Sequence, residues 1–221
     1  MLKQDGTVWT TGENKYGQLG DGSTLAKSSF VQVLSSGAKA IAAGYDHSMV
    51  LKQDGSVWTT GDNKYGQLGD GSTLAESSFV QVISSWAKAI AAGYDHSMVL
   101  KQDGSVWTTG NNNFGQLGNG RTFRNTFGQL GNGPRTFRST FAQVTSSGMQ
   151  AVAAGGWHSM VLSKDGIVWA TGTNAYGQLG DGSMIAKNIY VRVLLSRDGA
   201  WCTVLCMSRI CSIYFSVDLF N

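Results

Sequence analysis

Residues Ala42–Gly61 read AAGYDHSMVLKQDGSVWTTG, and residues Ala91–Gly110 repeat all of them without change. A catalytic constellation is needed once, so a phrase written twice points to architecture before chemistry. The repetition extends well beyond the phrase. Residues 2–50 and 51–99 differ at Thr7/Ser56, Glu13/Asp62, Lys27/Glu76, Leu34/Ile83 and Gly37/Trp86 alone. Trp9, Trp58 and Trp107 keep the same spacing, as do Gly17, Gly66 and Gly115. The third unit is longer because FGQLGNGRTFRNT from Phe114 is followed at once by FGQLGNGPRTFRST from Phe127. A fixed period of this size marks a repeat architecture, in which each unit buries its apolar face against its neighbours.

Each unit reads as four short strands with turn signals between them. The candidates are Thr7–Thr10, Phe30–Leu34, Ala38–Ala43 and Ser48–Lys52. The Gln-Asp-Gly turns suit tight hairpins, because Asp-Gly accepts positive φ. Helical repeats would need apolar residues at sustained spacings of three and four, which are absent. Thirty glycines against one proline, with aromatic and β-branched residues in the patterned segments, favour strands and turns. Four strands per unit is the signature of a propeller blade. The expected fold is therefore all-β: an incomplete arc of about four blades, each of four antiparallel strands. Repeats fill residues 1–193, in units of about 2–50, 51–99, 100–161 (with a duplicated loop at 114–140) and a partial 162–193. Residues 194–221 form a tail outside the repeat. The phrase from Ala42 is expected to act as a joint that carries one blade into the next.

Charge is informative only once it is located. The net charge of +3 rests on Arg121, Arg124, Arg135 and Arg138, which lie in the duplicated segment without an acidic neighbour. The remaining 13 basic residues face 14 acidic ones, so a general polyanion-binding surface is excluded. Those four arginines, interleaved with phenylalanines, are candidates for a weak, salt-sensitive nucleic-acid contact. Nucleic acid is not otherwise expected as a partner. The three cysteines fall in the last 20 residues with no metal-ligand spacing, and no apolar run reaches the length of a membrane helix. An intracellular protein, cytoplasmic or nuclear, is expected, with no membrane partner and no cofactor.

His47, His96 and His158 each follow an Ala-Ala-Gly and stand about a blade apart, too far to share one metal ion. They are expected to lock turns by hydrogen bonds from the ring to backbone groups at a strand entry. Trp9, Trp58, Trp107 and Trp169, at matching strand positions, are expected to pack between blades. The Gly-Gln-Leu-Gly-Asp-Gly runs lack the Gly-Lys-Ser/Thr ending and following helix of a phosphate loop. No nucleophile–base pair or metal cluster stands out, so neither catalytic nor metal-binding residues are assigned and a non-enzymatic protein is expected. Loops on a rigid sheet framework are the usual place for contacts. Tyr45, Asp46, Tyr94, Asp95 and Trp157, beside the three histidines, are the candidate binding residues on one rim.

Y-G-Q-L-G-D-G, V-Q-V, A-A-G-x-x-H-S and L-x-x-D-G-x-V-W together resemble the regulator of chromosome condensation repeat family. The resemblance covers roughly residues 2–193 and implies a seven-bladed propeller with blades of about 50 residues. It implies a protein partner, with guanine-nucleotide exchange on a small GTPase as an alternative to a plain binding scaffold. The sequence departs from the pattern after Val193, where the next Ala-Ala-Gly-x-x-His is missing, and at Met1, which takes the place of Val50 and Val99. A fragment or an imperfect gene model is one expectation from these departures. Closure by self-association, if four blades are the whole protein, is the other.

Overall fold

The computed structural model describes residues 1–120 and 137–194. Among these residues there is no helix, and hence none long and apolar enough to cross a membrane. Fourteen strands make four antiparallel sheets. The first pairs β1 (Val8–Gly12) with β2 (Lys27–Leu34). The second runs in chain order through β3 (Ala38–Ala43), β4 (His47–Lys52), β5 (Val57–Gly61) and β6 (Glu76–Ile83). The third holds β7 (Ala87–Ala92), β8 (His96–Lys101), β9 (Val106–Asn111) and β10 (Phe137–Thr145). The fourth holds β11 (Met149–Ala154), β12 (His158–Ser163), β13 (Val168–Gly172) and β14 (Lys187–Arg192). This is the expected all-β, incomplete propeller-type arc, with three four-stranded sheets and one two-stranded sheet among the described residues. Among the described residues the first sheet has no counterpart of the Ala-Ala-Gly and His-Ser strands that open the other three.

The phrase from Ala42 is not a joint. Its residues run through β3, β4 and β5 of a single sheet, because each Asp-Gly hairpin joins strands that pair with one another. The register is the same in every unit, with Val50 opposite Trp58 and Val99 opposite Trp107. Neighbouring sheets meet face to face instead. Met49, Leu51, Val57, Ala87 and Val99 form one core cluster across the second and third sheets, and Trp107 packs on it. Met98, Leu100, Val106 and Val161 repeat that arrangement one sheet on, with Trp169 packed outside. The middle strands are thus buried on both faces, which is why HSMVL carries no polar–apolar alternation after its serine. The inner strand β7 contacts both β3 and β11, and all three are rich in alanine, as converging strands require small side chains.

The first three glycine-rich loops each clasp the outer strand of the following sheet. The Gly22 amide donates to the Ser77 carbonyl, Gly71 to Ser139 and Gly120 to Asn188. Gly66 lies so close that a Cβ would sit 2.4 Å from Ser139 Cα, and its φ of 74° suits no other residue well. Residues 137–140, expected within the duplicated loop, begin strand β10 and supply that docking edge. Trp86 breaks the local rule. It stands at φ 69° where the equivalent Gly37 and Gly148 take 80° and 85°.

Candidate functional site

Three turns between an inner strand and its neighbour meet at one end of the arc: Gly44–Asp46, Gly93–Asp95 and Gly155–Trp157. Glycine opens each because the backbone passes against the histidine that closes the turn. A Cβ on Gly44 would lie 2.3 Å from His47 Cε1 and 2.6 Å from the Gly93 carbonyl. The Gly44 amide donates to the His47 carbonyl and Gly93 to His96, which fixes the turns.

On this frame Tyr45, Tyr94 and Trp157 form a continuous aromatic row. Tyr45 and Tyr94 have centroids 5.1 Å apart with tilted rings, and Tyr94 meets Trp157 edge-on at 5.1 Å. Phe114 extends the row, 5.6 Å from Trp157. The spacing is that of favourable aromatic pairs. Tyr45 is 68% exposed, Trp157 41% and Phe114 39%, so the row faces outward although its members touch. Gly156 stands where a Tyr stands in the two earlier turns. Its carbonyl accepts from the Tyr94 amide, and the Tyr94 ring lies over it.

Carboxylates border the row. Burial raises the Asp46 carboxyl above its ordinary range, and the nearby charges of Glu13 and Asp62 add to the shift against Lys15. Burial likewise raises Asp95, helped by Asp62 and Asp46 and opposed by the Asn111 amide and Lys64. Gln18 Nε2 donates to Asp46 at 3.2 Å and Gln67 Nε2 to Asp62 at 2.8 Å. In the third unit Asn111 replaces that aspartate, and the Gln116 amide nitrogen is buried without a partner among the described residues. Among the described residues the ion pairs, Lys27–Asp21 and Lys187–Asp181, join a glycine-rich loop to the start of an outer strand and neutralise none of these four carboxylates.

The histidines beneath the row are buried and do not bond to backbone groups through their distal nitrogens. His47 Nε2 lies 2.9 Å from Ser97 Oγ and His96 Nε2 lies 2.9 Å from Ser159 Oγ, each across a sheet boundary. Ser97 Oγ donates to the Gln67 carbonyl and Ser159 Oγ to Gln116. Each hydroxyl has one proton, which is already committed, so the imidazole must be the donor and carries its hydrogen on Nε2. His158 Nε2, the last of the three, is buried with no partner among the described residues. Burial lowers His47 and His158 to about 4 and His96 to about 3, so all three are neutral near pH 7. No group of three or more His, Cys, Asp or Glu among the described residues could hold a metal ion.

The remaining expected residues scatter. Trp9, Trp58, Trp107 and Trp169 are half-buried on the sheets, away from the row. The indole N–H of Trp58 donates to Ser56 and that of Trp107 to Ser105, and Lys52 and Lys101 lie over their rings at 4.0 and 3.9 Å. Arg138 lies in β10, while Arg121, Arg124 and Arg135 lie outside the described residues. Phe114 was legible only as a Phe in place of Tyr16 and Tyr65. The serine partners could have been found from the His-Ser pair that recurs in every unit.

Models of the Regulator of chromosome condensation (RCC1) repeat match residues 5–51 and 54–100, and a second model of the same repeat matches 38–67, 87–116 and 150–178. No significant match emerged among curated protein sequences. Among solved structures, yeast RCC1 (Prp20) bound to Kap60 superposes with a TM-score of 0.74 at 22% identity, over 88% of this chain and 46% of that one. Human WBSCR16 superposes at 0.70 with 24% identity, over 86% of this chain and 48% of its own. A second structure of Prp20p from Saccharomyces cerevisiae, described with its binding to Gsp1p and histones, gives 0.68 at 22% identity. The chain thus spans about half the length of these structures.

Proposed function

Since the chain belongs to the regulator of chromosome condensation repeat family, we propose that it is a protein-binding module whose contact surface is the row Tyr45–Tyr94–Trp157–Phe114 with its carboxylate border. The single observation that carries this reading is the exposed, mutually packed aromatic row on a rigid turn framework. Rigid aromatic side chains supply large contact area at low entropic cost, and they dominate binding hot spots. Asp46 and Asp95 sit where burial and like charges disfavour their ionised forms, so a cationic group on the partner relieves both. A basic protein segment is therefore the favoured occupant, in line with the histone binding described for Prp20p. The expected compartment is nuclear or cytoplasmic.

Binding of core histones to the immobilised chain tests this reading. Retention that disappears in Tyr45→Ala/Tyr94→Ala/Trp157→Ala supports it. Undiminished retention by that variant would place the contact elsewhere.

Guanine-nucleotide exchange on a small GTPase is the second reading, favoured by the Gsp1p binding described for the yeast protein. It asks for acceleration of nucleotide release from a Gsp1-type GTPase by this chain. A release rate unchanged by saturating chain removes it and leaves the binding reading intact.

A further inference from the structure

The aromatic row changes character along its length. Its first half, Tyr45 and Tyr94, is bordered by carboxylates. Asp46 and Asp95 follow the two rings in the chain, Asp62 acts on both of them, and Glu13 acts on Asp46. Lys15 and Lys64, the opposing cations, lie over Tyr16 and Tyr65 at 5.1 and 5.3 Å, and among the described residues no ion pair reaches any of the four carboxylates. The second half, Trp157 and Phe114, has lost these charges. Trp157 occupies the place of Asp46 and Asp95, Asn111 that of Asp62, and Asn113 that of Lys64. Gln18 Nε2 donates to Asp46 and Gln67 Nε2 to Asp62, whereas the equivalent Gln116 nitrogen has no partner among the described residues. The change that brings an indole into the row thus also removes a carboxylate from it.

The two halves call for different side chains. A cation satisfies the first, and a large apolar side chain gains most contact on the second. Asp46 and Asp95 are half-buried beside aromatic rings. Arginine suits such a place better than lysine, because its planar fork meets carboxylates while it stacks on a ring, and it gives up less hydration. Alternate side chains of an extended segment point the same way and stand about 7 Å apart. Neighbouring rings of the row are 5.1 to 5.6 Å apart, so two such side chains reach its two halves. We propose, resting on the reading of this row as the contact surface, that it takes an extended segment in which an arginine and a large apolar residue stand two positions apart. The arginine lies at Tyr45 and Tyr94 against Asp46 and Asp95, and the apolar side chain lies at Trp157 and Phe114. A segment of basic residues alone fills only half of the row.

The test titrates the peptide GSGRGFGSG onto the full chain by calorimetry. Saturable binding is expected. Alanine in place of the peptide's arginine should weaken it about tenfold, and lysine there about threefold. Asp95→Asn in the chain should weaken the arginine peptide and leave the alanine-for-arginine peptide unchanged, since coupled groups lose their energy once. Trp157→Ala should weaken those two peptides alike and leave a peptide without phenylalanine unchanged. The proposal is overturned by absence of binding, by a lysine peptide that binds as well as the arginine one, or by Asp95→Asn weakening the arginine and alanine peptides alike. Core histones separate the register from the surface beneath it. Peptide failure with histone retention still lost in Tyr45→Ala/Tyr94→Ala/Trp157→Ala overturns the register alone. Peptide failure with undiminished retention by that variant overturns the contact surface as well.

Discussion

His47 and Ser97 are joined across a sheet boundary at 2.9 Å, and the serine hydroxyl donates in turn to the Gln67 carbonyl, a loop group on the histidine's side of that boundary. Two groups of the second sheet thus depend on one hydroxyl of the third. Ser97→Ala orphans a buried imidazole N–H and a buried carbonyl, a loss of about 2–4 kcal/mol. Ser48→Ala removes the carbonyl bond alone and should cost about 1 kcal/mol. Urea unfolding of the two variants checks the ordering. Equal losses would contradict the relay.

The same histidines set an acid limit. Their folded values lie below the ordinary 6.5, at about 4 for His47 and His158 and about 3 for His96, because burial penalises the charged ring. The unfolded chain therefore binds more protons between those values. Stability is full above pH 6.5 and falls as pH drops toward 4, with a slope of up to roughly 1.4 kcal/mol per pH unit for each ring. Unfolding midpoints measured at pH 7, 6, 5 and 4 should decline progressively. A flat profile over that window would show that the rings are not buried in their neutral form.

Trp86 holds a left-handed backbone at φ 69° with its ring 67% exposed. The conformation is costly for a side chain and the exposed ring gains little in return, so Trp86→Gly should stabilise the chain by about 1 kcal/mol. A higher urea midpoint at unchanged slope is the expected reading. Gly66→Ala should do the reverse by more than that, since its Cβ would meet the Ser139 backbone at 2.4 Å.

Asp95→Asn removes a carboxylate that burial and its acidic neighbours disfavour. Its stability should equal or exceed that of wild type at pH 7, while affinity for basic protein should fall and become less sensitive to salt. Calorimetry with core histones at two salt concentrations separates these effects.

Much of this was legible because the units repeat. The AKAIAA strand falls at Ala38–Ala43 as read, since turn signals bound it on both sides. The outer strand starts at Lys27 rather than Phe30, because its serines pair along an edge and leave no apolar pattern. The phrase from Ala42 looked like a joint because period-two reasoning cannot say which antiparallel neighbours share a sheet. The joints are lateral contacts between a glycine loop and an outer strand far along the chain, which no local pattern encodes. At the rim, Tyr45, Asp46, Tyr94 and Asp95 stood out beside each histidine. That Trp157 would reach Tyr94 from an aspartate's position depends on Gly156, a contact that exists only in three dimensions.

The central claim is that the aromatic row is the binding surface. The most direct measurement compares histone affinity of wild type, Trp157→Ala and Trp58→Ala by titration calorimetry. Trp157→Ala should lose at least about tenfold in affinity, as removal of an interface aromatic does, while Trp58→Ala, on a sheet away from the row, should bind as wild type does. Equal affinity of all three proteins, or a loss confined to Trp58→Ala, would contradict it.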